Sequence, residues 1–242
     1  MNFSQVSQAA DELRQLLNMS TGRTMVDQVT VEVPRPPEDE LHFVRLVTWA
    51  YAYILEAGQP AFGELKRLVK VSQSTAKAAE CGLTQATVQC LRTNIAHNLP
   101  AQTGTDEKQR RQAKAWYLEH GKGYPPDWQE SNRALCNFLL SWMSTYKAAW
   151  MCAIEDDGDR KNAIATLIAA VDNEWPAHMF DRMVGDAAAR LGLDGFNATD
   201  YRKERVEQWR NMARRFEKRE LAEIAMQRLI HSELKGHFGE QV

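Results

Sequence analysis

One stretch of the sequence limits the fold more than any other. Residues 41–55, LHFVRLVTWAYAYIL, carry apolar side chains on nearly every side of a helix, which predicts a helix buried inside a bundle. No apolar run reaches the roughly 18 residues that a membrane span needs, so we expect no membrane-spanning segment. Because 44% of the 242 residues are hydrophobic and 26% are charged, a sizeable core can form around this helix.

The rest of the chain shows helical spacing with one exception. Between Thr24 and Val33, three valines alternate with polar residues as in a strand. One strand cannot make a sheet, so this segment is an arm, a pairing segment for a partner, or a loop. We expect further helices over residues 3–19, 62–71, 74–81, 84–98, about 108–120, 127–154, 160–172, 176–191 and 199–235.

These elements predict an all-α fold, a multi-helix bundle with a short N-terminal arm and a long C-terminal helix. We place a domain boundary after the prolines that end the arm, with an N-terminal helix and arm over residues 1–37 and a helical domain over residues 38–242.

Charge and cysteine content narrow the range of partners. The net charge is −2, so a nucleic-acid site has to rest on a local patch. The four cysteines show no CxxC spacing and no matching histidine pair, so we expect buried free thiols, no zinc site and no cofactor. The first residues lack the pattern of a signal peptide, and we expect a cytoplasmic protein.

The segment 91–99, LRTNIAHNL, carries the chemistry most suited to catalysis. Arg92 and His97 lie five residues apart with Asn94 between them. A guanidinium binds phosphate, and an imidazole moves protons near neutral pH. Together they are the minimum that RNA cleavage without a metal requires.

The same segment resembles the Arg-x4-6-His signature of the HEPN superfamily, helical proteins that include many RNA-cleaving toxins and defence effectors. A leucine precedes Arg92, an alanine precedes His97, Asn98-Leu99 follows, and two predicted helices lie before the motif, as in that superfamily. One position departs from the pattern, because Thr93 stands where the superfamily usually has Asn or Asp.

The resemblance implies a mechanism and a set of roles. His97 acts as general base or acid on the RNA 2′-hydroxyl, Arg92 holds the scissile phosphate, and Asn94 orients the substrate or His97. Thr93 and Asn98 are candidate substrate-binding residues. Two protomers bring their motifs together in a homodimer, and the product is a 2′,3′-cyclic phosphate. Such a protein is a metal-independent RNA endonuclease, a toxin or anti-phage effector that an antitoxin or other defence-system partner holds inactive.

The spacing alone carries little weight. A second match runs from Arg35 to His42, but it crosses Pro36 and Pro37 and cannot lie on one helix. Two alternatives to the nuclease therefore stay open. Arg92 can pair with a carboxylate while His97 lies on a helix surface, and the chain can be a helical interaction module without catalysis.

A third alternative is a helix-turn-helix DNA-binding regulator over residues 74–94. Ser74–Cys81 would be its first helix, Gly82-Leu83 its turn and Thr84–Asn94 its recognition helix. Against it, the recognition helix has few cations, and Lys77 stands where this motif prefers an apolar residue.

Overall fold

The structure is a computed structural model that describes residues 2–96, 104–173, 175, 177–216 and 218–238. Across these ranges the fold is all-α, as the sequence predicts, and no strand occurs. The α-helices are α1 (Phe3–Thr21), α2 (Glu40–Tyr51), α3 (Gln59–Ser72), α4 (Thr75–Ala96), α5 (Gly104–His120), α6 (Trp128–Ala153), α7 (Asp157–Asn173), α8 (Ala177–Arg190), α9 (Ala198–Lys203), α10 (Val206–Ala213) and α11 (Arg219–Phe238), and a π-helical turn (Ala52–Ala57) follows α2. None of these helices combines the length and the apolar content that crossing a bilayer demands.

Residue contacts divide the chain into two compact units, residues 1–168 and 169–242. The sequence instead suggested a boundary after residue 37. Helix α1 lies within the first unit, where it packs against α6 and buries Val6, Leu13 and Leu17. The N-terminal helix therefore belongs to the same core as the helices that follow it.

Aromatic side chains fill the centre of the first unit. Phe62 of α3 lies edge-on to Trp142 of α6, with ring centroids 4.9 Å apart, and Trp142 stacks on Tyr146 at 4.1 Å. All three side chains are buried. Helix α6 begins where the sequence predicts, because the Asp127 carboxylate accepts a hydrogen bond from the backbone N–H of Glu130 and so caps the first turn.

The apolar segment 41–55 forms most of α2 and then passes from α-helical to π-helical geometry. After Tyr51 the chain enters the π-helical turn, in which the N–H of Gly58 donates to the carbonyl of Tyr53 at 3.2 Å, five residues back. The buried Tyr53 hydroxyl donates to the carbonyl oxygen of Ala10 at 2.9 Å. This contact joins the end of the segment to α1.

The segment predicted as a strand is a loop. Met25 and Val26 are buried, but the backbone makes separate contacts rather than a ladder. The N–H of Met25 donates to the Asn18 side chain at 2.8 Å, and that of Asp27 donates to the carbonyl of Ala57 at 3.0 Å. Alternating valines form a strand only beside another strand, and the described ranges contain none.

The break predicted between residues 81 and 84 is also wrong. Helix α4 runs from Thr75 to Ala96 through Gly82 and Leu83 without interruption. Thr84 does not cap a new helix, because its hydroxyl donates to the Glu80 carbonyl within α4 at 3.1 Å. The turn that a helix-turn-helix needs is therefore absent from this segment.

The second unit has its own core, and the predicted helix over residues 199–235 is wrong. Three helices, α9, α10 and α11, occupy that range. Because the chain turns between them, α9 and α11 both pack against α8 and α10 packs against α11. This arrangement buries Trp209, Ile230 and Leu234 together with Phe180 of α8. A straight helix would leave those side chains spread along one face.

Candidate active site around Arg92

Arg92 lies in the last described turn of α4 with its side chain exposed. Its guanidinium carbon is 5.0 Å from the ring centroid of Tyr51, the last residue of α2. Within the described parts of the chain, no ion pair or hydrogen bond engages this side chain. The structure thus offers no carboxylate for the alternative in which Arg92 forms a structural salt bridge.

The two residues after Arg92 face other directions. Thr93 is 8% exposed, so little of it is accessible to a substrate. Asn94 is half-buried, and its side chain lies close enough to the Tyr117 hydroxyl of α5 to lower the pKa of that phenol. Residues two apart on an α-helix differ in direction by about 200°. Arg92 therefore faces α2 while Asn94 faces α5.

Tyr117 explains why Asn94 turns inward. Burial raises the pKa of the Tyr117 phenol, and the neighbouring Asn94 side chain lowers it by a smaller amount. The Tyr117 ring also packs on Phe43 at 5.8 Å and on Trp128 at 6.1 Å. Asn94 thus places a polar side chain near a hydroxyl that lies among apolar rings, where α4 packs against α5.

His97 and Asn98 lie outside the described residues. The structure therefore places Arg92, Thr93 and Asn94 of the predicted site but not its proton-transfer group. Of the three that it places, only Arg92 has an exposed side chain free to meet a phosphate.

The second Arg–His match in the sequence has a structural explanation. Helix α2 begins at Glu40, so Arg35 lies before the helix that holds His42. The His42 ring is 5% exposed, and its Nδ1 lies 3.0 Å from the carbonyl oxygen of Arg35. This contact ties the proline-containing loop to the start of α2, as the interruption by prolines suggested.

A cavity of about 280 Å³ lies between α4, α5 and α6, and no motif in the sequence predicts it. Its polar lining includes the Cys90 thiol, which donates to the Gln112 side chain at 3.2 Å. Burial raises the pKa of that thiol. The His120 ring lies 5.2 Å from both Trp116 and Phe138. In the sequence, the cavity is indicated only by the spacing of Trp116 and His120. These residues are four apart and therefore lie on one face of α5.

The described residues contain no group of three or more His, Cys, Asp or Glu side chains arranged to hold a metal ion. Three of the four cysteines are buried, as the sequence suggested, while Cys152 is exposed.

Comparison of the chain with protein-family models, with curated proteins and with solved structures found no match. The HEPN resemblance of residues 91–99 therefore rests on the motif itself and on the helices that carry it.

Proposed function

We propose that this protein is a metal-independent RNA endonuclease of the HEPN type that acts as a homodimer. The observation that supports the proposal best is the state of Arg92. An exposed arginine that contacts an aromatic ring, has no carboxylate partner among the described residues and lies five positions before His97 in the sequence is suited to bind a phosphate.

The proposed reaction uses the RNA itself as nucleophile. Neutral His97 of one protomer takes the proton of the 2′-hydroxyl, and the 2′-oxygen attacks the adjacent phosphorus. The bond from phosphorus to the 5′-oxygen breaks, and protonated His97 of the other protomer gives that oxygen a proton. Arg92 donates hydrogen bonds to the phosphate oxygens as negative charge grows on them. The products are a 2′,3′-cyclic phosphate and a 5′-hydroxyl.

Two protomers are needed because one imidazole cannot accept and donate a proton in the same step. The motif supplies one exposed guanidinium per chain, that of Arg92. A paired site would contain two, which together can balance the charge of the pentacoordinate phosphate.

The inward contacts of Asn94 and Thr93 change the roles that the resemblance implied. Asn94 lies near the Tyr117 hydroxyl of α5, where its side chain lowers the pKa of the phenol, and buried Thr93 contributes to packing. Asn98 stays a predicted substrate-binding residue. We expect a cellular role as a toxin or anti-phage effector in the cytoplasm, restrained by a partner protein.

Cleavage of single-stranded RNA in the presence of EDTA tests the chemistry. We expect wild type to release fragments that end in 2′,3′-cyclic phosphate, and His97→Ala and Arg92→Ala to lose nearly all cleavage. The controls are His178→Ala and Arg111→Ala, which change an exposed histidine and an exposed arginine elsewhere. If His97→Ala and His178→Ala cleave alike, the proposal is wrong.

The dimer has its own test. Mixing wild type with an excess of His97→Ala forms mixed dimers that hold one intact His97, and a single imidazole cannot serve as both base and acid. We expect these mixed dimers to be inactive, so that excess His97→Ala lowers the cleavage by wild type in the mixture, and we expect light scattering to report twice the 27.6 kDa of one chain. A monomeric, fully active enzyme would contradict the shared site.

Two other functions give different results in the same assays. A helical interaction module cleaves no RNA and forms a stable complex with its partner whether or not His97 is present. The helix-turn-helix regulator requires a turn at Gly82-Leu83, whereas α4 is one continuous helix through these residues. A regulator of this kind would bind duplex DNA. It would lose that binding when Gln85 and Gln89, which lie in the proposed recognition helix Thr84–Asn94, are substituted.

A further inference from the structure

Tyr51 is the one described residue whose aromatic ring contacts the Arg92 guanidinium, with 5.0 Å between the guanidinium carbon and the ring centroid. A cation beside an aromatic face is attracted by the ring quadrupole. The ring offers no acceptor of the carboxylate kind, so the N–H donors of Arg92 are not consumed by the contact. A carboxylate in the same place would compete with a phosphate.

The backbone under Tyr51 is fixed by its neighbours. Two residues before it, Trp49 is 6% exposed and stacks on Tyr53 at 5.2 Å with the ring planes nearly parallel. Two residues after it, Tyr53 is bonded to the Ala10 carbonyl. Both neighbours face the core, so Tyr51 lies on the opposite side of the chain and is half-exposed.

The change from α to π geometry begins directly after Tyr51. Single π-helical turns inside helical segments are uncommon and are found often at functional sites. Here the turn lets Tyr53 reach α1 while Tyr51 stays in the register of α2, beside the last turn of α4. One short segment thus anchors the bundle on one side and supports Arg92 on the other.

From these contacts we infer that Tyr51 is the positioning residue of the phosphate-binding arginine, the aromatic support that holds Arg92 extended and open to a phosphate oxygen. The inference rests on the proposed function and adds to it a residue that the motif does not contain. Tyr51 acts through Arg92 and touches no substrate atom.

The test is a double-mutant cycle on RNA cleavage with Tyr51→Leu, Tyr51→Phe and Arg92→Ala. A cation–aromatic contact at a partly exposed site has an energy that corresponds to about a 2- to 30-fold effect. We expect Tyr51→Leu to lower kcat by a factor in this range with little change in KM. Tyr51→Phe keeps the ring and should stay within about twofold of wild type.

The cycle separates positioning from a general structural effect. If Tyr51 acts only through Arg92, then Tyr51→Leu has no further effect in the Arg92→Ala background, whereas a packing defect lowers both backgrounds equally. Where Arg92→Ala cleaves too slowly for steady-state rates, wild type, the two single variants and the double variant are compared by single-turnover rate constants with protein in excess over RNA. Thermal unfolding of each variant records any loss of stability.

The outcomes distinguish the two proposals. Three results would overturn the role of Tyr51 while leaving the nuclease intact. They are a Tyr51→Leu variant that cleaves RNA as fast as wild type, an additive mutant cycle, and a Tyr51→Phe variant that cleaves as slowly as Tyr51→Leu. A wild-type protein that cleaves no RNA, or Arg92→Ala as active as wild type, would instead overturn the nuclease, and the inference with it.

Discussion

The phenolic hydroxyl of Tyr53 donates to the main-chain carbonyl oxygen of Ala10 at 2.9 Å, across 43 positions of the sequence. Both residues are buried. The bond joins the π-helical turn to α1, and the same turn accepts the N–H of Asp27 through the Ala57 carbonyl. Three segments that are distant in the sequence therefore meet at one helical turn.

Removing the Tyr53 hydroxyl should weaken this junction. We expect Tyr53→Phe to lower the free energy of unfolding by about 1 kcal/mol, because the buried hydrogen bond is lost while the ring still fills its place. Urea denaturation followed by circular dichroism measures the change. Tyr124→Phe is the matched control, because Tyr124 is exposed and its variant should unfold at the same urea concentration as wild type.

Gly58 has no room for a side chain. A Cβ at this position would lie 2.2 Å from the ring of Phe62, which is 1% exposed and cannot move aside freely. We expect Gly58→Ala to cost about 1–3 kcal/mol of unfolding free energy. At Gly63, inside the same helix α3, a Cβ meets nothing within 4 Å. Gly63→Ala should therefore stabilise by roughly 0.5–1 kcal/mol, and equal effects at the two sites would contradict the packing around Phe62.

Gly82 tests the continuity of α4. A Cβ there meets nothing within 4 Å, and the residue lies inside the helix, so Gly82→Ala should raise the free energy of unfolding by roughly 0.5–1 kcal/mol. Gly22 is equally open but has a φ of +67°, so Gly22→Ala should destabilise. If both alanines destabilise, residues 82–83 form the turn that the sequence suggested.

Stability at alkaline pH depends in part on Cys136. Burial raises the pKa of this thiol from 9.0 to about 12. Above pH 9 the unfolded chain releases the proton that the folded chain keeps, so this residue lowers the free energy of unfolding by about 1.4 kcal/mol per pH unit. The contribution is fully present below pH 9 and is lost as the pH rises to 12.

Urea unfolding at several pH values between 9 and 12 measures this slope. Cys136→Ala leaves a small cavity and lowers stability at every pH, but its stability should fall with pH less steeply than that of wild type. Cys152→Ala changes an exposed cysteine and should keep the wild-type slope. Parallel slopes for wild type and Cys136→Ala would show that the thiol is accessible in the folded protein.

Apolar spacing predicted the helices well because it records which face of each helix is buried. The segment 41–55 and the start of α6 directly after Asp127 are examples, since both depend on residues close in sequence. Contacts between distant residues could not be foreseen in the same way. Gly82 suggested a turn, yet neighbours on both sides hold α4 helical, and the range 199–235 forms three helices because packing on α8 favours turns between them.

The candidate site shows the same limit. Arg92 could be selected from its neighbours in the sequence, and it is exposed as a phosphate-binding residue has to be. The inward direction of Asn94 could not, because it depends on Tyr117, 23 positions further along. Tyr51 carries no motif, and its relation to Arg92 arises only when α2 packs against α4.

Because of the π-helical turn, we expect this chain to tolerate inserted or deleted residues less well at residues 52–57 than in its exposed loops. Deleting Ala52, the first residue of this turn, would restore an ordinary α-helical register and rotate every later side chain of the segment by about 100°. Tyr51 and its contact with Arg92 would stay, but Tyr53 would turn away from Ala10. Variation in length among natural descendants of this sequence should therefore be rare here and common in exposed loops. The one-residue excess marks a place where the fold depends on the register of the helix as well as on the identity of its side chains.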